Sequence, residues 1–401
     1  MGLLTNQPAM SEDVGGEGLP AWAYYSQELL DLEKALLFRR HWQLVGHASD
    51  LPKPGDYLCL DMVGERAVVI RGKDGALRAF HNICRHRGSR VLVDGQGSCK
   101  AGTMVCPFHG WTYNLDGTLR GVPKPASLPA LDRREHGLVP LKLENWNGFL
   151  FIRFEESGLP SVARLMAPFE EEIAGYRLAE LEPYSGIESD EVPVNWKAVR
   201  DVDNEGYHVP IAHPMLQDLY GRRYSDDAHD RGVSRSFAPF NDGEGKLWSV
   251  RHYKKILPEV ANLPESHRRA WLYLGVFPNT GLMLYPDVVG FYQEFPAAVG
   301  KTVQRSAYYA RPDARREMRL ARYLSQRIDR VTSREDQELT RWSWEAMQST
   351  SYAGMILSDL EGGVRDYHDV LRRKLPVMTL PDEPAWGTLA DINASLLAAR
   401  P

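Results

Sequence analysis

Two short segments of the chain each carry one cysteine and one histidine, and this pairing restricts the fold more than any other feature. The first segment is Cys84-Arg-His86, and the second, Cys106-Pro-Phe-His109, begins twenty residues after His86. Thiolates and imidazoles are ligands for zinc and for iron–sulfur clusters. A zinc finger usually brings its two cysteines close together and its two histidines later, on a helix. One ligand of each kind on each segment is instead typical of a binuclear cluster, in which two cysteines hold one iron and two histidines the other.

The two pairs, with the run CPFHGW intact in the second, resemble the Rieske cluster signature of ring-hydroxylating and related non-haem iron oxygenases. The resemblance implies that Cys84, His86, Cys106 and His109 bind a Rieske [2Fe–2S] cluster. A zinc site, or two unrelated turns, is the alternative interpretation.

A second informative stretch contains His208 and His213, with Pro210 between them. Five steps of about 100° place two side chains well over a right angle apart on a continuous helix. Because Pro210 disfavours helical geometry at Val209, we expect His208 to close a helix and His213 to swing back from the following loop. Two imidazoles and one carboxylate form the facial triad of non-haem Fe(II) oxygenases. Two unrelated histidines in a loop that contains a proline are the alternative.

This stretch also resembles the catalytic domain of Rieske oxygenases, where an acid stands three residues before the first of two histidines. Glu205 occupies that position, at which many relatives have Asp. The resemblance implies that Glu205 links a cluster histidine of a neighbouring subunit to a histidine ligand of the iron. Asp201 and Asp203 are competitors for this role, or simply acids at a helix terminus.

The carboxylate of the triad has to come from another part of the chain. In the family it lies at the start of a late helix, and Asp336 in Ser333-Arg-Glu-Asp336 matches that position best. Ser333-x-x-Asp336 is also a capping-box pattern, so Asp336 could merely close the start of the helix. Glu335 and Glu338 are the other candidates for the ligand.

The pattern of apolar residues and turns predicts an α+β fold. Short β-rich runs separated by glycine turns fill residues 41–155, which we assign to the Rieske domain. A polar, turn-rich boundary follows, and residues 156–401 are assigned to a catalytic iron domain with an antiparallel sheet flanked by helices. Residues 1–40 form an N-terminal segment that packs on the catalytic domain, with Ser26 as the cap of a helix. Its first twenty or so residues are predicted to be disordered or loosely attached.

An Arg-rich helix is expected from Pro312 to Val331, with an apolar stripe at helical spacing. Its basic face is either solvated surface or a docking patch for an acidic electron donor.

Composition excludes several functional classes. The formal charge of −5 over 401 residues gives no indication of nucleic-acid or anionic-membrane binding. No apolar run approaches the ~18 residues that would span a bilayer, and the first residues lack the basic and apolar regions of a signal peptide. We therefore expect a cytoplasmic protein without a nucleic-acid or membrane partner.

The family resemblance implies an enzyme that activates O2 at a mononuclear Fe(II), with two electrons supplied from outside through the cluster. The chain carries no flavin or nucleotide fingerprint, so NAD(P)H would act only through a separate reductase, and a ferredoxin could carry the electrons. The resemblance also implies a homotrimer, because the cluster and the iron of one subunit lie too far apart.

The substrate is a small organic molecule. The segment after Asp336, with GGVRDYH, is more similar to the branch that acts on quaternary ammonium compounds, by oxidative N-demethylation or C–N cleavage. Hydroxylation or dihydroxylation of an aromatic ring is the alternative, and a non-catalytic Rieske electron-transfer protein is an alternative of another class. A cation–π cage could be built from eight aromatic residues, which could equally be core or stack on an aromatic ring: Trp248, Tyr253, Trp271, Tyr273, Tyr285, Tyr292, Tyr308 and Tyr309.

Overall fold

The computed structural model describes residues 18–93, 95–230, 232–352 and 354–399. The strands are β1 (Gln43–His47), β2 (Asp56–Met62), β3 (Glu65–Arg71), β4 (Leu77–His81), β5 (Gln96–Ser98), β6 (Thr103–Val105), β7 (Thr112–Asn114), β8 (Leu119–Gly121), β9 (Pro140–Trp146), β10 (Phe149–Arg153), β11 (Glu182–Pro183), β12 (Glu188–Val192), β13 (Ser225–Asp230), β14 (Val233–Pro239), β15 (Ala270–Val276), β16 (Thr280–Leu284), β17 (Val289–Ala298) and β18 (Lys301–Ala310). The helices are α1 (Gln27–Glu33), α2 (Val162–Met166), α3 (Glu170–Ile173), α4 (Trp196–Asp203), α5 (Val209–Ala212), α6 (Pro214–Leu219), α7 (Trp248–Ile256), α8 (Arg316–Ala346), α9 (Gly362–Lys374) and α10 (Leu389–Ala398).

The first half of the described chain forms two antiparallel sheets. A larger sheet has the strand order β1-β10-β9-β4-β3-β2-β5, and a smaller one consists of β6, β7 and β8. The β2–β3 hairpin turns at Val63 and Gly64, both with positive φ (44° and 86°), as a tight primed turn requires. A core containing Val68, Ile70 and Met104 holds the two sheets together. The small sheet therefore presents the loops before β7 on a fixed base.

The second half forms a larger antiparallel sheet with helices packed on it. Its strands follow the order β11-β18-β17-β16-β15-β14-β13, and β12 also pairs with β18. Strand β15 and helices α7 and α8 share a core that includes Trp271, Tyr253, Leu324 and Ile328. Helix α8 is thereby held against the sheet. The predicted α+β fold is confirmed.

The N-terminal segment contacts the start of the catalytic region. Ser26 caps α1 by accepting a hydrogen bond from the backbone N–H of Leu29 at 3.1 Å, which confirms the predicted cap. Glu33, at the end of α1, accepts hydrogen bonds from the side chains of Trp196 (2.8 Å) and Lys197 (2.6 Å) on α4. The predicted disorder of the first twenty residues lies almost wholly outside the described residues, and the domain limits 41–155 and 156–401 stay predictions.

Helix α8 differs from the expectation of two separate helices. It runs without a break from Arg316 to Ala346, so Asp336 lies inside it and the capping-box interpretation of Ser333 and Asp336 is wrong. Of the predicted stripe of Ala321, Leu324, Ile328 and Val331, the first three residues are buried and Val331 is half-buried. The sequence did not predict one continuous helix, because the second half of α8 lacks the apolar stripe of the first half. Polar and charged side chains that face a cavity take its place.

Candidate functional site

The two Cys/His segments form turns of the same construction. The N–H of Gly88 donates to the carbonyl oxygen of Cys84 at 3.0 Å, and that of Gly110 donates to Cys106 at 2.9 Å. Both glycines have positive φ, 74° and 71°, which disfavours any residue with a Cβ. Each cysteine therefore opens a turn that its own glycine closes, and the histidine stands between them.

The two cysteines and the two histidines differ in exposure. Cys84 and Cys106 are buried, whereas His86 and His109 are exposed. The imidazole rings lie with centroids 4.7 Å apart, and that of His86 stacks parallel to Trp111 at 5.0 Å. Burial raises the pKa of Cys84, against the opposing effect of the nearby Tyr113 hydroxyl. The thiols thus sit inside the domain and the imidazoles at its surface.

This donor set fits a binuclear cluster better than a zinc ion. Ligand atoms of a tetrahedral zinc site lie within roughly 4 Å of one another, since each bond is about 2.0–2.3 Å long. Within the described ranges, one group of three metal-ligating residues has ligand atoms within 4.8 Å of one another, and it does not include these four residues. A [2Fe–2S] cluster separates the cysteine pair from the histidine pair and needs no such convergence.

The second site is formed where α4, α5 and α6 meet α8. Helix α4 ends at Asp203, and His208 immediately precedes α5, whose first turn contains Pro210. His213 lies between α5 and α6. Our expectation that His208 closes a helix is wrong, because Pro210 starts a helical turn, where a missing N–H costs nothing. The proline still breaks the geometry between the two histidines.

The group of converging ligand atoms consists of His208, His213 and Asp336. The two Nε2 atoms are 3.0 Å apart, and Asp336 Oδ1 lies 3.5 Å from His208 Nε2 and 2.8 Å from His213 Nε2. Neighbouring ligands of an octahedral ion with bonds of about 2.1 Å are about 3.0 Å apart. The arrangement is that of a facial triad, which leaves further coordination positions open.

The Asp336 carboxylate supports a cation at this place. Its Oδ1 is buried and makes no hydrogen bond, although both imidazoles are close. Burial raises the pKa of Asp336, but the two imidazoles outweigh it and lower the pKa. For His208 the effect of burial has the opposite sign and lowers the pKa, but Asp336 and Glu205 outweigh it and raise the pKa of His208 to about 10. The site is built to hold positive charge, and the residues present fit Fe(II).

Two further carboxylates orient the imidazoles. Glu205 contacts His208 Nδ1 and accepts the His208 backbone N–H at 3.1 Å. Glu335 lies 2.8 Å from His213 Nδ1. Each imidazole therefore donates Nδ1–H to a carboxylate and turns Nε2 toward the shared position, as metal-binding histidines do. Glu335, a candidate ligand on the sequence alone, contacts His213 Nδ1 and is not part of the converging group.

The other acids of the α4 region have different partners. Asp201 bonds to His368 Nε2 at 2.8 Å and to the Tyr24 hydroxyl. Asp203 contacts the Arg200 guanidinium at 3.3 Å. Glu338 is exposed and lies 3.9 Å from Arg341. Among the candidate acids, Glu205 is the one in contact with His208.

A cavity of about 550 Å³ reaches the three converging ligand atoms. Of the eight predicted cage residues, Tyr273, Tyr285, Tyr292 and Tyr308 line it. Trp248 is exposed, and the remaining three are buried outside the lining. Tyr220, Tyr224 and Asp329 also line the cavity, although the sequence analysis did not single them out. Of these three, only Asp329 could have been indicated by the sequence, through its spacing of seven residues from Asp336.

Two family matches divide the chain as these sites do. The Rieske [2Fe-2S] domain matches residues 41–132. The catalytic domain of the ring-hydroxylating alpha subunit matches residues 178–376. The chain belongs to the Rieske oxygenase alpha subunits.

Known Rieske oxygenases of two kinds are similar to this one. The carnitine monooxygenase oxygenase subunit of Acinetobacter baumannii is 36% identical over 208 residues, which are 50% of this chain and 53% of that protein. The benzene 1,2-dioxygenase alpha subunit of Pseudomonas putida is 33% identical over 189 residues, 46% of this chain and 42% of that protein. The chain thus spans about half the length of these curated relatives.

The similarity extends further in three dimensions. The structure of the quaternary ammonium Rieske monooxygenase CntA superposes with a TM-score of 0.75 and 26% identity, covering 89% of this chain and 95% of that chain. None of the helices in the described residues of this Rieske oxygenase has the length and apolar character needed to cross a membrane.

Proposed function

We propose that this chain is the terminal component of a Rieske monooxygenase that acts on a small quaternary ammonium compound, by oxidative N-demethylation or C–N cleavage. The observation that carries the proposal is the convergence of His208, His213 and Asp336 on one position in the wall of a cavity of about 550 Å³. A Rieske protein that only transfers electrons would need neither this triad nor the cavity.

In the proposed reaction, Fe(II) held by the triad supplies O2 activation. The protein residues orient the imidazole ligands and surround the substrate. Glu205 and Glu335 fix the two imidazole planes through Nδ1, so that both Nε2 atoms point toward the position of the iron. The cavity walls would hold the substrate beside the open coordination positions.

Electrons would come from NAD(P)H through a separate reductase or a ferredoxin, and pass through the cluster held by Cys84, His86, Cys106 and His109. We also propose that the reaction takes place in the cytoplasm. The two imidazoles are exposed and the two thiols are buried, so electrons would leave the cluster on the imidazole side.

We further propose a homotrimer, in which the cluster of one subunit faces the Glu205 region of the next. Exposed apolar residues flank both sites: Val105 and Phe108 beside the cluster, and Tyr207 and Ile211 beside the triad. Exposed apolar patches of this kind mark interaction surfaces. Because the two patches differ, their contact is head-to-tail and closes into a ring.

Hydroxylation of an aromatic ring is the second candidate, and the match to a benzene dioxygenase subunit favours it. The cavity tyrosines could stack on an arene as well as surround a cation.

Analysis of metal and sulfide, combined with a reductase-coupled assay, tests the proposal. We expect about two labile sulfides and about three irons per chain, and a Rieske EPR signal on reduction. Substrate-dependent NAD(P)H consumption should be coupled to product with betaines and absent with arenes. Protein that holds one zinc and no sulfide would refute the proposal, and coupled turnover of arenes alone would establish the second candidate.

A further inference from the structure

Asp329 faces the cavity from the same side of α8 as Asp336. The two residues are seven positions apart on a helix that continues unbroken from Arg316 to Ala346. Seven residues are almost two full turns, so both side chains leave one helix face, roughly 10.5 Å apart along the axis. Both line the cavity. A molecule bound there lies between the metal-site carboxylate and a second carboxylate.

Three tyrosines surround the Asp329 carboxylate. The hydroxyl of Tyr285 donates to Oδ1 at 3.0 Å, and that of Tyr308 donates to Oδ2 at 3.1 Å. The Tyr273 hydroxyl lies 3.1 Å from that of Tyr285. Tyr285 also stacks on Trp271 with ring centroids 3.9 Å apart, which fixes its position. The carboxylate and the rings around it are therefore preorganised.

No Lys, Arg or His side chain forms a salt bridge with Asp329 in the part of the chain that the structure describes, although Arg330 also lines the cavity. The two hydrogen bonds to Asp329 come from neutral hydroxyls, and Arg330, the next residue, is exposed. Burial raises the pKa of Asp329 to about 7, against the lowering effects of Tyr285, Tyr308 and Arg330. Asp287, on the far side, raises it further. A cation bound in the cavity would supply the missing partner.

We propose that Asp329, together with the rings of Tyr273 and Tyr308, binds the cationic group of the substrate. The inference rests on the proposed function, and it favours a cationic substrate over a neutral one. A quaternary ammonium has no N–H to donate, so it is recognised by opposite charge and by aromatic faces. Leaving a buried carboxylate without a counter-charge costs free energy, and a bound cation removes that cost. A neutral arene offers no such gain.

Binding measurements separate charge from shape. Choline and its neutral isostere 3,3-dimethylbutan-1-ol are titrated calorimetrically into metal-loaded protein, without reductase, so that no turnover occurs. The wild type should bind choline more tightly than the alcohol. Asp329→Asn, which keeps the side-chain size, should weaken choline binding at least about 10-fold and leave alcohol binding almost unchanged. Tyr308→Phe removes one hydroxyl but keeps the ring, and should weaken choline binding to a smaller extent.

Asp226→Asn is the matched control, because Asp226 is another carboxylate of the cavity wall and accepts from the Ser236 hydroxyl at 2.6 Å. It should keep the preference for choline.

Equal binding of choline and the alcohol by the wild type would overturn the inference, and so would loss of the preference in Asp226→Asn but not in Asp329→Asn. If Asp329→Asn does not fold, Tyr308→Phe decides, since equal weakening of both ligands would show an effect of cavity shape. Iron and sulfide content, measured on the same samples, tests the proposed function separately.

Discussion

The cluster-binding region and the triad differ in how far apart their residues lie along the chain. The cluster set spans residues 84–109, and each of its two turns is closed by a backbone hydrogen bond to its own glycine. The triad joins His208 and His213 to Asp336 on another helix, and side-chain carboxylates orient its imidazoles. The first set depends on local backbone geometry, and the second depends on the packing of α8 against α4–α6.

The difference in construction predicts different responses to mutation. Changes at the triad should remove one metal and leave the other, because the two sets share no residue and sit on separate cores. Changes at the turns should affect the cluster through backbone strain. The following predictions test this separation, from the largest expected effect to the smallest.

Replacing His208 by Ala should abolish turnover and lower the iron content from about three to about two per chain, with labile sulfide unchanged. The Rieske EPR signal should remain, because no cluster residue is altered. Metal analysis and EPR on the same sample check this. Loss of the cluster together with the third iron would show that the two sites are not independent.

Glu205→Gln, measured with iron supplied in excess so that both metals are retained, should slow the proposed electron transfer between subunits. A glutamine presents an NH2 group where one carboxylate oxygen accepted a hydrogen, and this group cannot accept from an imidazole N–H. We expect reoxidation of the reduced cluster, with substrate and O2 present, to slow at least ~10²-fold, the upper scale of such outer contacts. Single-turnover stopped flow measures the rate. A wild-type rate would move the bridging role to Asp203 or Asp201.

Glu335→Gln should weaken iron binding at the triad by about 10- to 100-fold, because His213 Nδ1 loses a carboxylate acceptor. Iron loss to a chelator, followed over time, gives the ratio. Glu338→Gln, one turn further along α8 and exposed, is the control and should lose iron at the wild-type rate. Equal loss from both variants would contradict the orienting contact.

Ile211→Asp should weaken the proposed trimer by roughly 10-fold or more, because burying an isoleucine side chain contributes about 1.5–3 kcal/mol. Ile211 is 90% exposed in the single chain. Ile356→Asp is the matched control, since Ile356 is 94% exposed and lies outside both apolar patches. Light scattering over a dilution series compares the two. Similar dissociation of both variants would argue against the Ile211 surface.

Gly88→Ala should destabilise the cluster turn by about 1–2 kcal/mol, because Gly88 has a φ of +74°, which strains a residue with a Cβ. No neighbouring atom lies within 4 Å of the added Cβ, so backbone strain is the whole effect. Gly64→Ala, at a hairpin with φ of +86° and open space, carries the same strain away from the cluster. Both should lower the melting temperature. Only Gly88→Ala should lower the temperature at which the visible absorption of the cluster bleaches.

The cluster region could be predicted from the sequence because its information is local. The four residues and their two glycines stand in two short runs, and the turn residue Gly64 likewise marks the hairpin that the structure shows. The family assignment followed from these runs and is confirmed.

The triad region was predicted less completely, because its contacts are distant in sequence. Asp336 was identified only through the family pattern, and the sequence could not show whether it or Glu335 faces the Nε2 atoms of the two imidazoles. That choice depends on the rotation of α8 about its axis, which packing against the sheet sets. The role of Pro210 was misjudged for the related reason that proline both ends and begins helices.

Because α8 is one unbroken helix, it fixes the distance between the metal site and Asp329, and with it the length of substrate that fits between them. Asp329 and Asp336 are fixed to one rigid rod, so loop insertions elsewhere leave their separation unchanged. To accept a longer substrate, the carboxylate of Asp329 would have to move by about one turn along the same helix face. The position of Gln326, three residues earlier, is roughly 4.5 Å further from the metal site. Gln326 already lines the cavity, and its amide nitrogen is buried without a partner among the described residues. The size of the accepted molecule would then change in steps of a helical turn rather than continuously.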